Sequence, residues 1–259
     1  MFNSSFAREM TDYLELRTAV LSASSASNDR RVLLLLDQYL VLSGFQGKEL
    51  TEDILSAWSK TLSGKSKTVK EKLAVVRGFG KYLNTLRHQS FLPTLPKVKS
   101  DYIPYIFSDE EIVRIFHYAD NLTPQNPRSC SSFFQLKIPM ALRILYSCGT
   151  RLQETMSLQR KDVDFKNRTL FLKKTKFSKE RVIPVHESLI AVMERYCLTL
   201  GIMHEPEAFL FPGRKEGSHY TTRQMDSWFS EILKLADIDQ RERDCHERGA
   251  CLHCFRHLF

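Results

Sequence analysis

The stretch from Phe91 to Pro104 constrains the fold most. It holds Pro93, Pro96 and Pro104, with Lys97, Lys99 and Ser100 between them. Proline lacks the N–H that a helix interior or central strand requires, and it drives the preceding residue towards extended backbone. No regular element crosses such a segment, and the spacing predicts an extended linker. A chain of 259 residues is long enough for two domains. The expected division is residues 1–95, a linker at 96–106, and residues 107–259.

Ahead of the linker, four amphipathic stretches alternate with short breaks. Residues 4–21 place Phe6, Met10 and Leu14 on one helical face, with Tyr13 beside them. Ser22 to Asn28 is small and polar and predicts a loop. Asn28 or Asp29 is the expected cap of a second helix running to Leu42 and stopped by Gly44. Thr51 is the expected cap of a third over residues 52–62, which Ser63-Gly64-Lys65-Ser66 breaks. A fourth over residues 68–86 turns Val69, Leu73, Val76, Tyr82, Leu83 and Leu86 inward. Four helices on short links make a small all-α bundle.

The fourth helix also carries the charge. The chain has a formal net charge of +8, and residues 1–100 hold 15 Lys+Arg against 9 Asp+Glu, whereas residues 101–259 hold 23 against 21. Between Ser63 and Arg87 stand Lys65, Lys67, Lys70, Lys72, Arg77, Lys81 and Arg87, with Glu71 the lone acid. A solvated helix face usually mixes signs. The excess reads as phosphate contact along a nucleic-acid groove, with Lys65, Lys67, Lys70, Lys72 and Arg77 as candidates; the alternative is a face that only confers solubility. The longest aliphatic run, Val32 to Leu36, ends at Asp37 and is too short to span a bilayer. No secretory pattern opens the chain, and six cysteines in a chain this long do not make a disulfide scaffold, so a cytoplasmic, nucleoid-associated protein is expected.

After the linker, Ser108 is the expected cap of a helix with an acidic first turn, and residues 133–147 form a strongly apolar helix. Residues 163–165, 169–173 and 181–185 read as short strands, with Pro184 marking an edge. A basic turn, Lys174-Thr175-Lys176-Phe177-Ser178-Lys179, joins the last two. Residues 187–200 and a stretch from Thr222, its expected cap, to Ala236 are helices, and a helical segment begins at Leu252. The expected fold class is mainly α with a small antiparallel sheet.

Within this second half, Cys148-Gly149-Thr150-Arg151-Leu152-Gln153-Glu154 reads as a helix end followed by a helix start. Gly149 suits positive φ, and Thr150 with Gln153 forms an expected capping box. Arg151 then falls in the first helical turn, where the helix dipole disfavours cations. That placement suits an external anion shared by the guanidinium and the free N–H groups; the alternative is an ordinary surface arginine. Residues 252–259 read Leu-His-Cys-Phe-Arg-His-Leu-Phe, putting His253 and Arg256 on one helical face. Two guanidiniums, an imidazole and a lysine ammonium, without paired carboxylates or a glycine-rich phosphate loop, suit a phosphodiester whose charge grows in the transition state.

Gly-Thr-Arg-Leu-Gln-Glu at residues 149–154, then Lys179-Glu180-Arg181-Val182-Ile183-Pro184-Val185 after a basic turn, then His253-Cys254-Phe255-Arg256-His257, together resemble the tyrosine recombinase (phage integrase) family. The four-helix basic domain and the proline linker resemble that family's SAM-like core-binding domain, and the second domain its catalytic domain. The resemblance implies site-specific DNA recombination through a 3′-phosphotyrosyl intermediate. It implies that Arg151 and Arg256 clamp the scissile phosphate, that Lys176 protonates the departing 5′ oxygen, and that His253 assists phosphate binding and proton transfer. Lys173, Lys174 and Lys179 stand close enough to compete for the lysine role. Glu154 and His257 are expected to support the site rather than react. Double-stranded DNA is the implied partner, no metal or nucleotide cofactor is implied, and the family acts as a tetramer on DNA.

One departure is large. The family's nucleophilic tyrosine lies beyond the second arginine, and no tyrosine follows Arg256. Tyr196 and Tyr220 have structural readings instead. The expectation is a C-terminally truncated chain, monomeric, that binds DNA without cleaving it. Three alternatives stand beside this reading: a non-catalytic DNA-binding or regulatory fragment; a zinc site drawing on Cys245, Cys251 and Cys254 with His246 or His253; and type IB topoisomerase chemistry, which the two-domain plan and modest size argue against.

Overall fold

The structure is a computed structural model that describes residues 1–98, 103–123, 133–173, 180–238 and 249–258. It is mainly helical with one three-stranded antiparallel sheet, and it divides into two compact units, Met1–Ser100 and Asp101–Phe259. Among the described residues, no helix is long and apolar enough to cross a membrane.

The first unit contains α1 (Ala7–Val20), α2 (Ala23–Leu42), α3 (Glu52–Thr61) and α4 (Ser66–Thr85). Its core gathers Phe6, Met10, Tyr13, Leu33, Leu36, Trp58, Val76 and Phe79. The expected loop at Ser22–Asn28 is instead the first turns of α2, which Ser22 caps with its hydroxyl. The polar run there is compatible with helix because Asp29 turns inward and pairs with Arg17 Nε at 2.9 Å. Leu86, expected inward, is 44% exposed, because α4 ends at Thr85 and the chain leaves the core face.

The linker begins as a packed strap. A Cβ at Gly80 on α4 would meet Leu92 Cδ2 at 3.0 Å and the Phe91 carbonyl oxygen at 3.3 Å, so the bare glycine lets that segment lie close. Arg77 Nη1 donates to the carbonyls of Leu92 and Pro93, at 3.2 and 2.8 Å.

The second unit contains α5 (Asp109–Asp120), α6 (Phe134–Cys148), α7 (Leu152–Met156), β1 (Val163–Asp164), β2 (Thr169–Leu172), β3 (Arg181–Pro184), α8 (Glu187–Thr199), α9 (Thr222–Leu235) and a 310 helix at Leu252–Leu258. Ser108 caps α5 with a full capping box. Helix α6 is the axis: ten of its residues are buried, among them Ile138, Leu142, Ile144 and Leu145. It contains Pro139, whose missing N–H disfavours a helix interior. Burial around the helix outweighs that local penalty. The sheet order is β1-β2-β3, so Pro184 does lie on an edge strand, with Leu172 opposite Arg181 at the β2–β3 end next to residues 174–179. Thr221, not Thr222, caps α9, in a capping box with Gln224.

Candidate active site

The site starts where α6 stops. Gly149 takes φ 55°, a left-handed conformation that glycine adopts at little cost, and its N–H donates to Leu145 O at 3.1 Å. The expected capping box is displaced by one residue. Thr150 is 1% exposed, and its hydroxyl bonds that of Thr155 at 2.6 Å rather than capping a helix. Arg151, at φ −77° and ψ 147°, is the residue before α7, and Glu154 reaches back to its N–H at 2.8 Å. The carboxylate supplies the anion that the N-terminus of α7 favours, which permits an arginine there.

Glu154 organises the cluster. Its other oxygen accepts Arg151 Nη1 at 2.6 Å, and Arg181 Nη2 from β3 donates to the oxygen that already holds the Arg151 N–H, at 2.7 Å. The carboxylate side chain is 7% exposed, whereas Arg151 and Arg181 are 41% and 36% exposed. Burial alone raises the carboxyl's proton affinity; the Arg151 N–H and guanidinium bonds and the charges of Arg181 and Arg151 outweigh it and hold Glu154 below the ordinary carboxylate value.

Arg256 arrives from the other end of the unit. Phe255 is fully buried against Phe107, Phe229 and Tyr146, at ring-centroid distances of 5.3, 5.7 and 6.2 Å. With that ring fixed, the next side chain emerges beside the end of α6, and Arg256 Nη1 donates to Gly149 O at 2.5 Å. Burial, followed by the charges of Arg151 and Arg181, depresses the proton affinity of Arg256, and Glu154 partly restores it. A guanidinium stays charged under such a shift. Two guanidiniums therefore bond one carboxylate and the charge of a third, Arg256, acts on the same cluster, leaving the local charge positive. Such an arrangement offers several fixed donors to an anion.

The other expected residues are placed unequally. His253 is exposed on the same 310 helix, with its ring edge-on to His257 at 5.4 Å. Residues three apart eclipse in a 310 helix, so His253 and Arg256 share a face more strictly than α-helical spacing provides. Lys176 lies outside the described residues, as do Lys174 and Lys179. Lys173, the remaining competitor, is held by the buried carboxylate of Asp162 at 2.5 Å. Tyr196 and Tyr220 are both buried, with the first donating to Leu210 O at 2.5 Å and the second accepting Trp228 Nε1 at 2.8 Å. Among the described residues no group of three metal-ligating side chains forms; Cys245 and His246 fall outside them.

Arg181 was not among the residues the sequence singled out, although it sits inside a motif that did stand out. Its signal was an arginine opening an edge strand directly after a lysine-rich turn. Nothing in strand periodicity says that it meets a carboxylate 27 residues earlier.

On α4 the basic residues split. At about 100° per residue, Lys67, Lys70, Arg77 and Lys81 fall on one face, away from Val76 and Leu83, with Arg77 at its edge beside Leu73. Lys65 is the residue before the helix, and Lys72 falls on the core side, where its Nζ donates to Ser63 O at 3.1 Å.

Residues 106–259 match the phage integrase family. A tyrosine recombinase XerC of Staphylococcus saprophyticus is 28% identical over 167 residues, covering 63% of this chain and 52% of that protein. Three of the curated relatives are matched over about half to three fifths of their own length. A crystal structure of lambda integrase bound to DNA shares the fold, with a TM-score of 0.69 at 14% identity over 100% of this chain and 85% of that one. The XerH recombinase in a pre-cleavage complex with its difH substrate also has a TM-score of 0.69, at 18% identity over 98% and 72% of the two chains. With a family match across more than half of its length, the chain belongs to the phage integrase family of tyrosine recombinases.

Proposed function

We propose that the protein acts in site-specific DNA recombination, and that Arg151 and Arg256 bind the scissile phosphate of a DNA strand. The observation that carries this reading is the convergence of Arg151, Arg181 and Arg256 about Glu154 and the Gly149 carbonyl. Guanidinium forks fixed before the reaction offer donors to nonbridging oxygens and stabilise charge as the pentacoordinate phosphorus forms. Glu154 orients Arg151 and touches no substrate. Lys176 protonates the departing 5′ oxygen, and His253 assists from the exposed face of the 310 helix. A tyrosine hydroxyl attacks the phosphorus, the 5′ oxygen leaves with a proton, and the 3′-phosphotyrosyl ester keeps the bond energy for the reverse step. That sequence consumes neither metal nor nucleotide.

Residues 1–95 serve as the core-binding domain, residues 96–106 as the linker and residues 107–259 as the catalytic domain. Of the five basic candidates, Lys65, Lys67 and Lys70 are the DNA contacts of the first, whereas Lys72 is drawn to Ser63 O and Arg77 to the carbonyls of Leu92 and Pro93. No tyrosine follows Arg256 within residues 1–259. These residues alone therefore bind double-stranded DNA without cleaving it, as monomers, whereas the tyrosine-bearing form works as a tetramer on DNA in the cytoplasm.

Titration of a fluorescent duplex with residues 1–259 at several salt concentrations tests this. Binding should weaken linearly in log salt, with a slope of about −0.9 per phosphate contact, and no protein–DNA adduct should survive denaturation. Salt-independent binding, or a covalent adduct, overturns the proposal.

A further inference from the structure

Cys251 and Cys254 flank the start of the 310 helix that carries His253 and Arg256. Their Sγ atoms lie 3.5 Å apart, and the Cys251 N–H points at Cys254 Sγ at 3.4 Å. The Cys254 N–H in turn donates to Cys251 O at 2.9 Å, so the backbone itself folds the two residues together. Cys254 is 1% exposed, and Cys251 is only half-buried. A disulfide has an S–S length of about 2.05 Å. Closing this pair needs about 1.5 Å of movement, which side-chain rotation and a small backbone shift supply. Cys148 and Cys197 behave differently: burial pushes both thiols up to about 11, and both lie in the core of the second unit.

We propose that Cys251 and Cys254 form a reversible thiol–disulfide site, closed by a low-molecular-weight disulfide such as glutathione disulfide, and that closing it weakens DNA binding by displacing Arg256. The second half rests on the reading of Arg256 given above. Cys251 is the reachable partner. It releases its proton to solvent, and the thiolate attacks one glutathione sulfur, expelling a glutathione thiolate. Cys254 then loses its proton and attacks Cys251 Sγ in the mixed disulfide, expelling the second glutathione thiolate. The two protein thiols give up two electrons and two protons, and glutathione disulfide becomes two glutathione thiols. Arg256 feels the closure because it is two residues beyond Cys254 on the same short helix, while Phe255 between them stays wedged in the core. A 1.5 Å pull is comparable with the helix's rise of about 2.0 Å per residue. It acts on the backbone that aims Arg256 at Gly149 O.

In the test, the full chain is equilibrated with glutathione from fully reduced to fully oxidised. Thiols are then blocked, the peptide spanning residues 251–254 is read by mass spectrometry, and the same samples are titrated with a labelled duplex at fixed salt. Expected are one disulfide between Cys251 and Cys254, opened by dithiothreitol, and a glutathione adduct on Cys251 in the Cys254→Ser variant. Oxidation should lower DNA affinity about fivefold or more, and Cys251→Ser should abolish that loss. No disulfide in fully oxidised glutathione, a bond from either residue to another cysteine, or stoichiometric zinc protecting the pair overturns the site. A disulfide that forms with DNA affinity unchanged overturns the link to Arg256. Reduced protein that fails to bind DNA counts against the proposed function, and the disulfide measurement still decides the site.

Discussion

Replacing Glu154 by glutamine keeps the shape at the centre of the arginine cluster and removes its charge. Glu154 accepts the Arg151 N–H at 2.8 Å, Arg151 Nη1 at 2.6 Å and Arg181 Nη2 at 2.7 Å. A hydrogen bond to a charged group contributes about 1.5–3 kcal/mol. Because the two guanidiniums are 41% and 36% exposed, solvent screens them and the lower end applies. Glutamine retains one acceptor oxygen, so a net loss of about 2–3 kcal/mol is expected at neutral pH. For a unit of this size that lowers the melting temperature by roughly 5–10 °C. The pH dependence has a definite sign. The folded carboxyl is held below its ordinary value, so its stabilisation is complete above the unfolded carboxylate value and is lost as pH falls through the folded one. The gap between parent and variant should stay constant from neutral pH to about pH 5 and close in stronger acid. In the variant, a second change of Arg181→Gln should cost less than it does in the parent. Calorimetry across pH reads all of this. A variant melting within about 1 °C of the parent, or a gap that persists in acid, refutes the reasoning.

Lys70→Ala should weaken DNA binding across all sequences and reduce the salt slope by about 1, whereas Lys72→Ala should leave the slope unchanged because its ammonium is engaged by Ser63 O; equal slopes for the two variants would contradict the face assigned to α4. Phe255→Ala should cost about 3–5 kcal/mol, since the ring is fully buried, and should release Arg256 from Gly149, so that thermal melts and DNA titrations fall together. Full DNA affinity in a destabilised variant would separate the two residues.

The arginines of the candidate site are more legible in the sequence than the contacts that hold them. Gly149 and Arg151 are legible because a left-handed turn and an arginine beside a helix start are local features, and Arg256 through its three-residue spacing from His253 and the family motif around it. Glu154 was legible as a neighbour of Arg151, but its hold on Arg181 was not, since that pairing joins a helix to an edge strand. Boundaries shifted where polar residues have two uses. Ser22 and Thr221 cap helices one step or more from the expected positions. The Ser22–Asn28 run read as a loop because its hydroxyls and amides compete for backbone bonds, yet Asp29 inside the bundle draws it into α2. Arg77 read as a DNA contact from charge alone; its guanidinium also fastens the proline strap at Leu92 and Pro93. Charge counting cannot distinguish a donor aimed at solvent from one aimed at a carbonyl.

The most direct measurement is a double-mutant cycle on duplex binding with Arg151→Gln, Arg256→Gln and the combined variant, each checked for folding by thermal melting. If both guanidiniums grip one phosphate, the second substitution should cost less once the first is present, with a coupling of about 0.5 kcal/mol or more. Strictly additive losses, or no loss from either substitution, would mean that the two arginines do not share an anion.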